Sequence, residues 1–183
     1  VTDIWLVRHG EAAASWDQSP DPGLSPLGHQ QARAAAEQLH SRVPGDAALL
    51  TSPKARARET GVPFSMLREQ DLIESAAFIE VQAPVPLSER KQWLRQFMSQ
   101  RWSEQPDALW EWRKAITDAL QEFREPTVIF THFLVINAVL AECWQKDSVL
   151  LSWPANGSIH HFRVHPERIE SVALGEQMES VVT

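Results

Sequence analysis

The sequence predicts an α/β sandwich with a substantial helical insertion, and three observations carry that prediction. Short apolar runs containing Ile and Val alternate with stretches of helical length. Between Val81 and Phe123 the alternation breaks, and a proline-rich start leads into helical material carrying Trp93, Trp102, Trp110 and Trp112. Three of the chain's segments, RHGE at 8–11, TSPKARARET at 51–60 and TH at 131–132, place basic and imidazole groups at strand ends. Ligands of open α/β sheets gather beyond the carboxyl ends of strands.

Taken in order, DIWLVR is a buried strand that stops at a glycine. SPLGHQQARAAAEQLHSR follows as a helix with Ser25 as its N-cap, Pro26 in its first turn, and Leu27, Ala34 and Leu39 on its apolar stripe. ALLTSP is the second strand, with Ser52 and Pro53 expected to start the next helix. That helix, KARARETGVPFSML, is expected to break or bend near Pro63. DLIE is a short strand, TVIFTHF a further strand and VINAVLAECW a helix. SIHHFRVH is a late strand behind an Asn156-Gly157 turn, and QMESVVT is either a last strand or a frayed tail. No repeat or second-domain boundary interrupts the chain, so a single domain over 1–183 is expected.

Composition narrows the function. Of 183 residues, 43% are hydrophobic, an ordinary share for a globular protein. Seventeen basic against twenty-four acidic residues give a net charge of -7, which argues against a nucleic-acid partner. Cys143 is the only cysteine, so neither an internal disulfide nor a cysteine-rich metal site can form. The most apolar stretch, FTHFLVINAVLAECW, is too short and too polar for a membrane span. With no secretory leader recognised, a cytoplasmic location and no membrane partner are expected. The oligomeric state is left open.

The groups at the strand ends suit phosphoryl transfer through histidine. A neutral imidazole nitrogen can attack phosphorus, dividing one difficult displacement into two steps. Guanidinium forks can meet the charge on the phosphoryl oxygens, and a carboxylic acid can protonate the leaving oxygen. Arg8 and His9 are neighbours, so a regular strand would aim them oppositely; a bend at Gly10 is expected to turn both toward one anion.

RHG, then LS-x-x-G-x-x-Q-A, SP-x-x-RA-x-x-T and TH in order, resemble the histidine phosphatase superfamily, the phosphoglycerate-mutase-like proteins. The resemblance runs from the first strand to beyond His132. It implies a three-layer α/β/α sandwich with a mostly parallel central sheet, the helical insertion preceding the strand of the second histidine. It also implies phosphomonoester hydrolysis through a phosphohistidine, with no cofactor and no metal, on a small phosphorylated substrate. By that resemblance His9 is the nucleophile, Arg8 and Arg56 clamp phosphate, and His132 is the second active-site histidine. The first loop reads EAAASW and leaves Ser15 as the candidate polar contributor. Phe133 stands where relatives commonly carry glycine, which implies a bulkier pocket wall.

Two carboxylates compete for the role of acid. Glu74 has the family's Leu-x-Glu wording in LIES but lacks the downstream glycine. Glu80 lies farther from Thr60, nearer the family spacing, before a proline-bearing loop and beyond the end of DLIE; it is favoured. Glu11 is read as a loop organiser, Thr131 as a strand-end orienter, and Arg33 and Arg58 as surface or structural groups. Adjacent strand residues face opposite sides, so His160 and His161 make a poor joint chelator. The tryptophans are expected to pack the insertion on the sheet, with Trp93 and Trp110-Glu111-Trp112 the candidates for the substrate entrance. Two alternatives remain open at this point: a phosphomutase of the same family, and a degenerate module that binds phosphate or phosphoprotein.

Overall fold

The computed structural model describes residues 1–15 and 18–179. Its six-stranded sheet has the order β3-β2-β4-β1-β5-β6. The strands are β1 (Thr2–Arg8), β2 (Ala48–Thr51), β3 (Ile73–Glu74), β4 (Thr127–Thr131), β5 (Ile159–His165) and β6 (Arg168–Ala173). The first four in spatial order are parallel, and β5 and β6 complete the sheet antiparallel. Five helices accompany them: α1 (Pro26–Arg42), α2 (Ala55–Arg68), α3 (Arg90–Met98), α4 (Asp107–Glu122) and α5 (Phe133–Trp144).

Alternation along β1 builds the three layers. Ile4 and Leu6 face a core with Phe97, Trp102, Ile116, Leu120 and α5. Trp5 and Val7 face the other way, onto Ala35, Ala36 and Leu39 of α1 and Phe64 of α2. The α/β/α sandwich and its largely parallel sheet are therefore as expected, and α3 and α4 form the insertion before β4. Helix α5 is apolar nearly all round and buried from Leu134 to Ala141, as a helix pressed between sheet and insertion must be. Among the described residues, no helix is long and apolar enough to cross a membrane.

Several local expectations need correction. Ser25 caps α1 by accepting from the Gly28 N–H at 3.0 Å, but Leu27 and Ala34 are exposed. The buried face is Ala32, Ala35, Ala36 and Leu39, because α1 approaches its neighbours through small residues. Helix α2 runs through Pro63 without a break. Burial of Gly61 and Phe64 against the sheet offsets the local cost of the missing N–H. Pro53 lies before the N-cap Lys54 rather than in the first turn, and the Ala55 N–H is met by Asp21 Oδ1 at 2.9 Å. The last strand is Arg168–Ala173, joined to β5 by a turn at Pro166-Glu167 that lacks the usual Asn-Gly signature. Of QMESVVT, Gln177 makes an isolated bridge to Pro154, and residues 180–183 lie outside the described residues.

Candidate active site

Register puts three strand ends side by side. Arg8 pairs with Thr131, the His9 N–H donates to the Thr131 carbonyl at 3.0 Å, and the Ser52 N–H donates to the Phe130 carbonyl at 2.9 Å. Because β1 ends at Arg8, His9 is free of the pleat, and both side chains line one cavity of about 370 Å3. The bend is held by close contact. A Cβ on Gly10 would stand 2.5 Å from the Gly28 carbonyl oxygen, and one on Gly28 would stand 2.2 Å from that of Glu11. Gly10 is thus required by the approach of α1, not by room for an anion. Its N–H donates to Thr60 Oγ1 at 2.9 Å, and the Thr60 hydroxyl donates to the Arg56 carbonyl at 2.7 Å. The same contacts therefore fix the histidine loop to the helix that carries Arg56.

His9 Nδ1 lies 2.7 Å from the Gly10 carbonyl oxygen. A carbonyl only accepts, so the proton belongs on Nδ1 and the lone pair on Nε2. Arg56 Nε–H donates to that Nε2 at 3.3 Å. The Arg8 guanidinium donates to the Pro154 carbonyl at 2.8 Å and lies over the Phe133 ring, 5.1 Å from its centroid. His132 stands edge-on to His9 with ring centroids 5.3 Å apart, and its Nε2 is 2.7 Å from Ser52 Oγ. Ser52 Oγ also accepts from the Lys54 N–H at 3.3 Å. Its own proton is then available to His132 Nε2, an arrangement with His132 protonated on Nδ1. Among the described residues, Arg8 Nε, Arg56 Nη1 and His132 Nδ1 are buried without a hydrogen-bond partner. Arg8 and Arg56 line the cavity, and their unpartnered donors, with His132 edge-on to His9, make a receptor for an anion.

The two carboxylates separate clearly. Glu80 is only 7% exposed and lines the same cavity as Arg8, His9 and Arg56. It accepts from the Val81 N–H at 3.1 Å and from the Leu134 N–H at 3.2 Å, the latter in the first turn of α5. Glu74 is exposed and pairs with Arg58 at 3.4 Å, outside that cavity. Ser15 does line the cavity, and its backbone N–H donates to Gln18 Oε1 at 3.1 Å. Glu11 accepts from the Ser25 hydroxyl at 2.9 Å and Thr131 donates to the Phe78 carbonyl at 2.8 Å, the organising contacts expected of them.

Burial and charge set the protonation states. Burial first, then the Arg8 and Arg56 charges, hold His9 well below the usual imidazole range. His132 is lowered by burial and by the same neighbours. Burial pushes the Glu80 carboxyl up, against the pull of its two N–H donors and of Arg56 and Arg8. Burial lowers Arg8 to about 10, so it is still a cation at neutral pH. The cleft therefore holds a neutral imidazole with an available lone pair, fixed positive charge and a carboxyl whose burial favours its protonated form. Two guanidinium groups beside the imidazoles oppose a metal cation in the same cleft. Among the described residues, no group of three or more His, Cys, Asp or Glu side chains has the geometry to hold one.

These shifts predict a stability profile. His9, His132 and buried His160, which burial lowers to about 4, stay neutral in the folded chain while the unfolded chain protonates them near pH 6.5. The unfolded state then binds more protons, so stability is present above that pH and lost as pH falls toward the folded values. His160 by itself gives a loss of about 2 kcal/mol between pH 7 and pH 5. Glu80, raised by folding, offsets part of the sum. Urea midpoints at the two pH values check this, and a midpoint unchanged or higher at pH 5 contradicts it.

Several contributors were not visible in sequence. Asn156 Nδ2–H donates to the His9 carbonyl at 3.2 Å, and the following Gly157 turns with φ +75° and gives its N–H to the Arg8 carbonyl at 2.9 Å. The Asn-Gly signal marked this turn but not what it touches. Ser52, expected only to start the next helix, makes its shortest contact with His132. Trp153, not Trp93 or Trp110, reaches the cavity. Trp102 is buried, and the Arg113 guanidinium packs over its ring and that of Trp110, 4.9 Å from each centroid. His160 is buried against Ser158, and His161 on the other face bonds Asp3 at 2.8 Å. A larger concavity, about 860 Å3 between α1 and the β5–β6 side, holds no arginine–imidazole cluster of this kind among the described residues.

The family model for the histidine phosphatase superfamily (branch 1) matches residues 4–177. The chain belongs to that superfamily. As a histidine phosphatase it is an enzyme of phosphatase type. A search of curated protein sequences finds no significant match. Solved structures share the fold at low identity. A mycobacterial glucosyl-3-phosphoglycerate phosphatase in complex with VO3 is 19% identical, with TM-score 0.71 over 94% of this chain and 98% of its own. Phosphoserine phosphatase from Entamoeba histolytica in complex with 3-phosphoglyceric acid is 16% identical, with TM-score 0.72 over 97% and 98%. Bacillus stearothermophilus YhfR is 18% identical, with TM-score 0.76 over 94% and 96%.

Proposed function

We propose that this histidine phosphatase is a metal-independent hydrolase of small phosphomonoesters that works through a phosphohistidine on His9. The observation that carries the reading is the orientation of His9, with Nδ1 tied to the Gly10 carbonyl and Nε2 beside Arg56. The substrate's phosphoryl oxygens take the donors of Arg8, Arg56 and His132, and Ser15 is the candidate additional contact. His9 Nε2 attacks phosphorus, and the bond from phosphorus to the ester oxygen breaks. Glu80 gives its proton to that oxygen, and an alcohol departs. The Glu80 carboxylate then takes a proton from water as the water oxygen attacks phosphorus. The N–P bond breaks, and inorganic phosphate and protonated Glu80 are restored. Fixed donors at the cleft are worth most where charge grows on the transferring group.

Turnover of a simple aryl phosphate in the presence of a chelator tests the reading. Inorganic phosphate is expected to accumulate, and rapid alkaline quenching of the working enzyme is expected to trap acid-labile phosphate on the protein. With a phosphorylated polyol as substrate, faster formation of its positional isomer than of free phosphate would instead identify a mutase. Binding of phosphate with neither turnover nor phosphoenzyme would identify a binding module.

A further inference from the structure

The same cleft carries information about the group attached to phosphate. We infer that the leaving group is an uncharged apolar alcohol, alkyl or aryl, rather than a short carboxylate-bearing or amino-acid alcohol. The inference rests on the hydrolase reading and goes beyond it.

The cavity that holds Arg8, His9, Arg56 and Glu80 is also lined by Leu94, Met98, Phe133, Leu134, Trp153 and Met178. Leu94 and Met98 are four apart on α3, so one helix face projects both, while Lys91 and Arg95 of the same helix are exposed and absent from the lining. Phe133 is fixed from two sides, by the Arg8 guanidinium and by a T-shaped contact to Trp153 with centroids 5.5 Å apart. Leu134 lines this cavity and supplies the N–H that holds Glu80 Oε2. The proton donor therefore sits against the apolar wall, and an ester oxygen beside Glu80 directs its carbon chain along that wall.

Among the described residues of this wall there is no cation to balance a second negative charge. Among the described lining residues the only cations are Arg8 and Arg56, which face the phosphoryl position. Asn156 gives its side-chain N–H to the His9 carbonyl, and Glu11 would repel an anion. The next cations, Lys54 and Arg90, line a separate cleft beyond Arg56 and Glu80 with about 10 Å3 of free space, too little for a carboxylate-bearing chain. A carboxylate in the larger cavity would lose water and gain no partner, whereas methylenes would gain from burial there.

A series of linear alkyl phosphates from methyl to hexyl tests this, because their leaving alcohols have nearly equal acidity. kcat/KM is expected to rise about threefold per methylene until the wall is covered, close to the worth of a buried CH2 group. Hexyl phosphate should then exceed O-phosphoserine and 3-phosphoglycerate by on the order of 100-fold. Met98→Lys and, separately, Leu94→Ala are expected to flatten the series. A flat series in the parent enzyme, or faster turnover of the carboxylate-bearing esters, overturns the inference while leaving the hydrolase reading intact. Hydrolysis of none of the esters, aryl phosphate included, overturns the hydrolase reading and this inference with it.

Discussion

Replacing His9 with Ala is expected to lower kcat for phosphate release from an aryl phosphate by on the order of 10^4-fold or more, as loss of an attacking group does in enzymes with covalent intermediates. No neighbour can substitute. His132 Nε2 is committed to Ser52, and Arg56 and Arg8 are cations without a lone pair to offer. The anion receptor should survive, because Arg8 is anchored to the Pro154 carbonyl, and Arg56 by the helix that Thr60 ties to the loop. H9A is therefore expected to bind inorganic phosphate within about tenfold of the parent while forming no acid-labile phosphoprotein. That split between binding and chemistry distinguishes loss of the nucleophile from collapse of the site. Parent-like turnover in H9A would remove the phosphohistidine mechanism altogether.

The parts of this site that the sequence revealed are those whose position follows from chain order. Arg8, His9 and His132 end strands, and parallel strands that are neighbours must bring their carboxyl ends together. Arg56 opens the helix after β2, so it arrives at the same edge. Glu80 was separable from Glu74 only by its spacing from Thr60, the proline-bearing loop after it and its place beyond DLIE, whereas Glu74 ends that short strand. The structure separates them by burial, one inside the cleft and one on an exposed pair with Arg58. What the sequence withheld depends on contacts between distant residues. Gly10 against Gly28, Ser52 against His132, and Asn156 against the His9 carbonyl each join segments whose approach no local pattern encodes. The same is true of Trp153, which follows an irregular segment and reaches the cavity through its contact with Phe133. The missed β6 has a different cause, a Pro-Glu turn without the residues that ordinarily announce a hairpin.

Glu80→Gln is expected to lower kcat on an alkyl phosphate by about 10^2- to 10^4-fold, the usual range for a positioned proton donor. The effect should depend on the leaving group. Nitrophenolate departs without help, so the chemical step with nitrophenyl phosphate should lose far less, and the phosphoenzyme should then accumulate because water activation is slowed. Glutamine can still accept the Val81 and Leu134 N–H bonds through its carbonyl oxygen, so the loop geometry has a means of surviving the change. Glu74→Gln is expected to leave both substrates within about twofold, since it removes one exposed ion pair. The pH profile gives an independent readout. Activity requires neutral His9 and so falls as pH drops through its lowered value; it requires protonated Glu80 and so falls as pH rises through its raised one. With Gln at position 80, the alkaline limb should disappear from the alkyl phosphate profile, while the acid limb set by His9 stays. Retention of that alkaline limb in Glu80→Gln, together with its loss in Glu74→Gln, would move the acid to Glu74 and require the loop from β3 to Glu80 to rearrange around substrate.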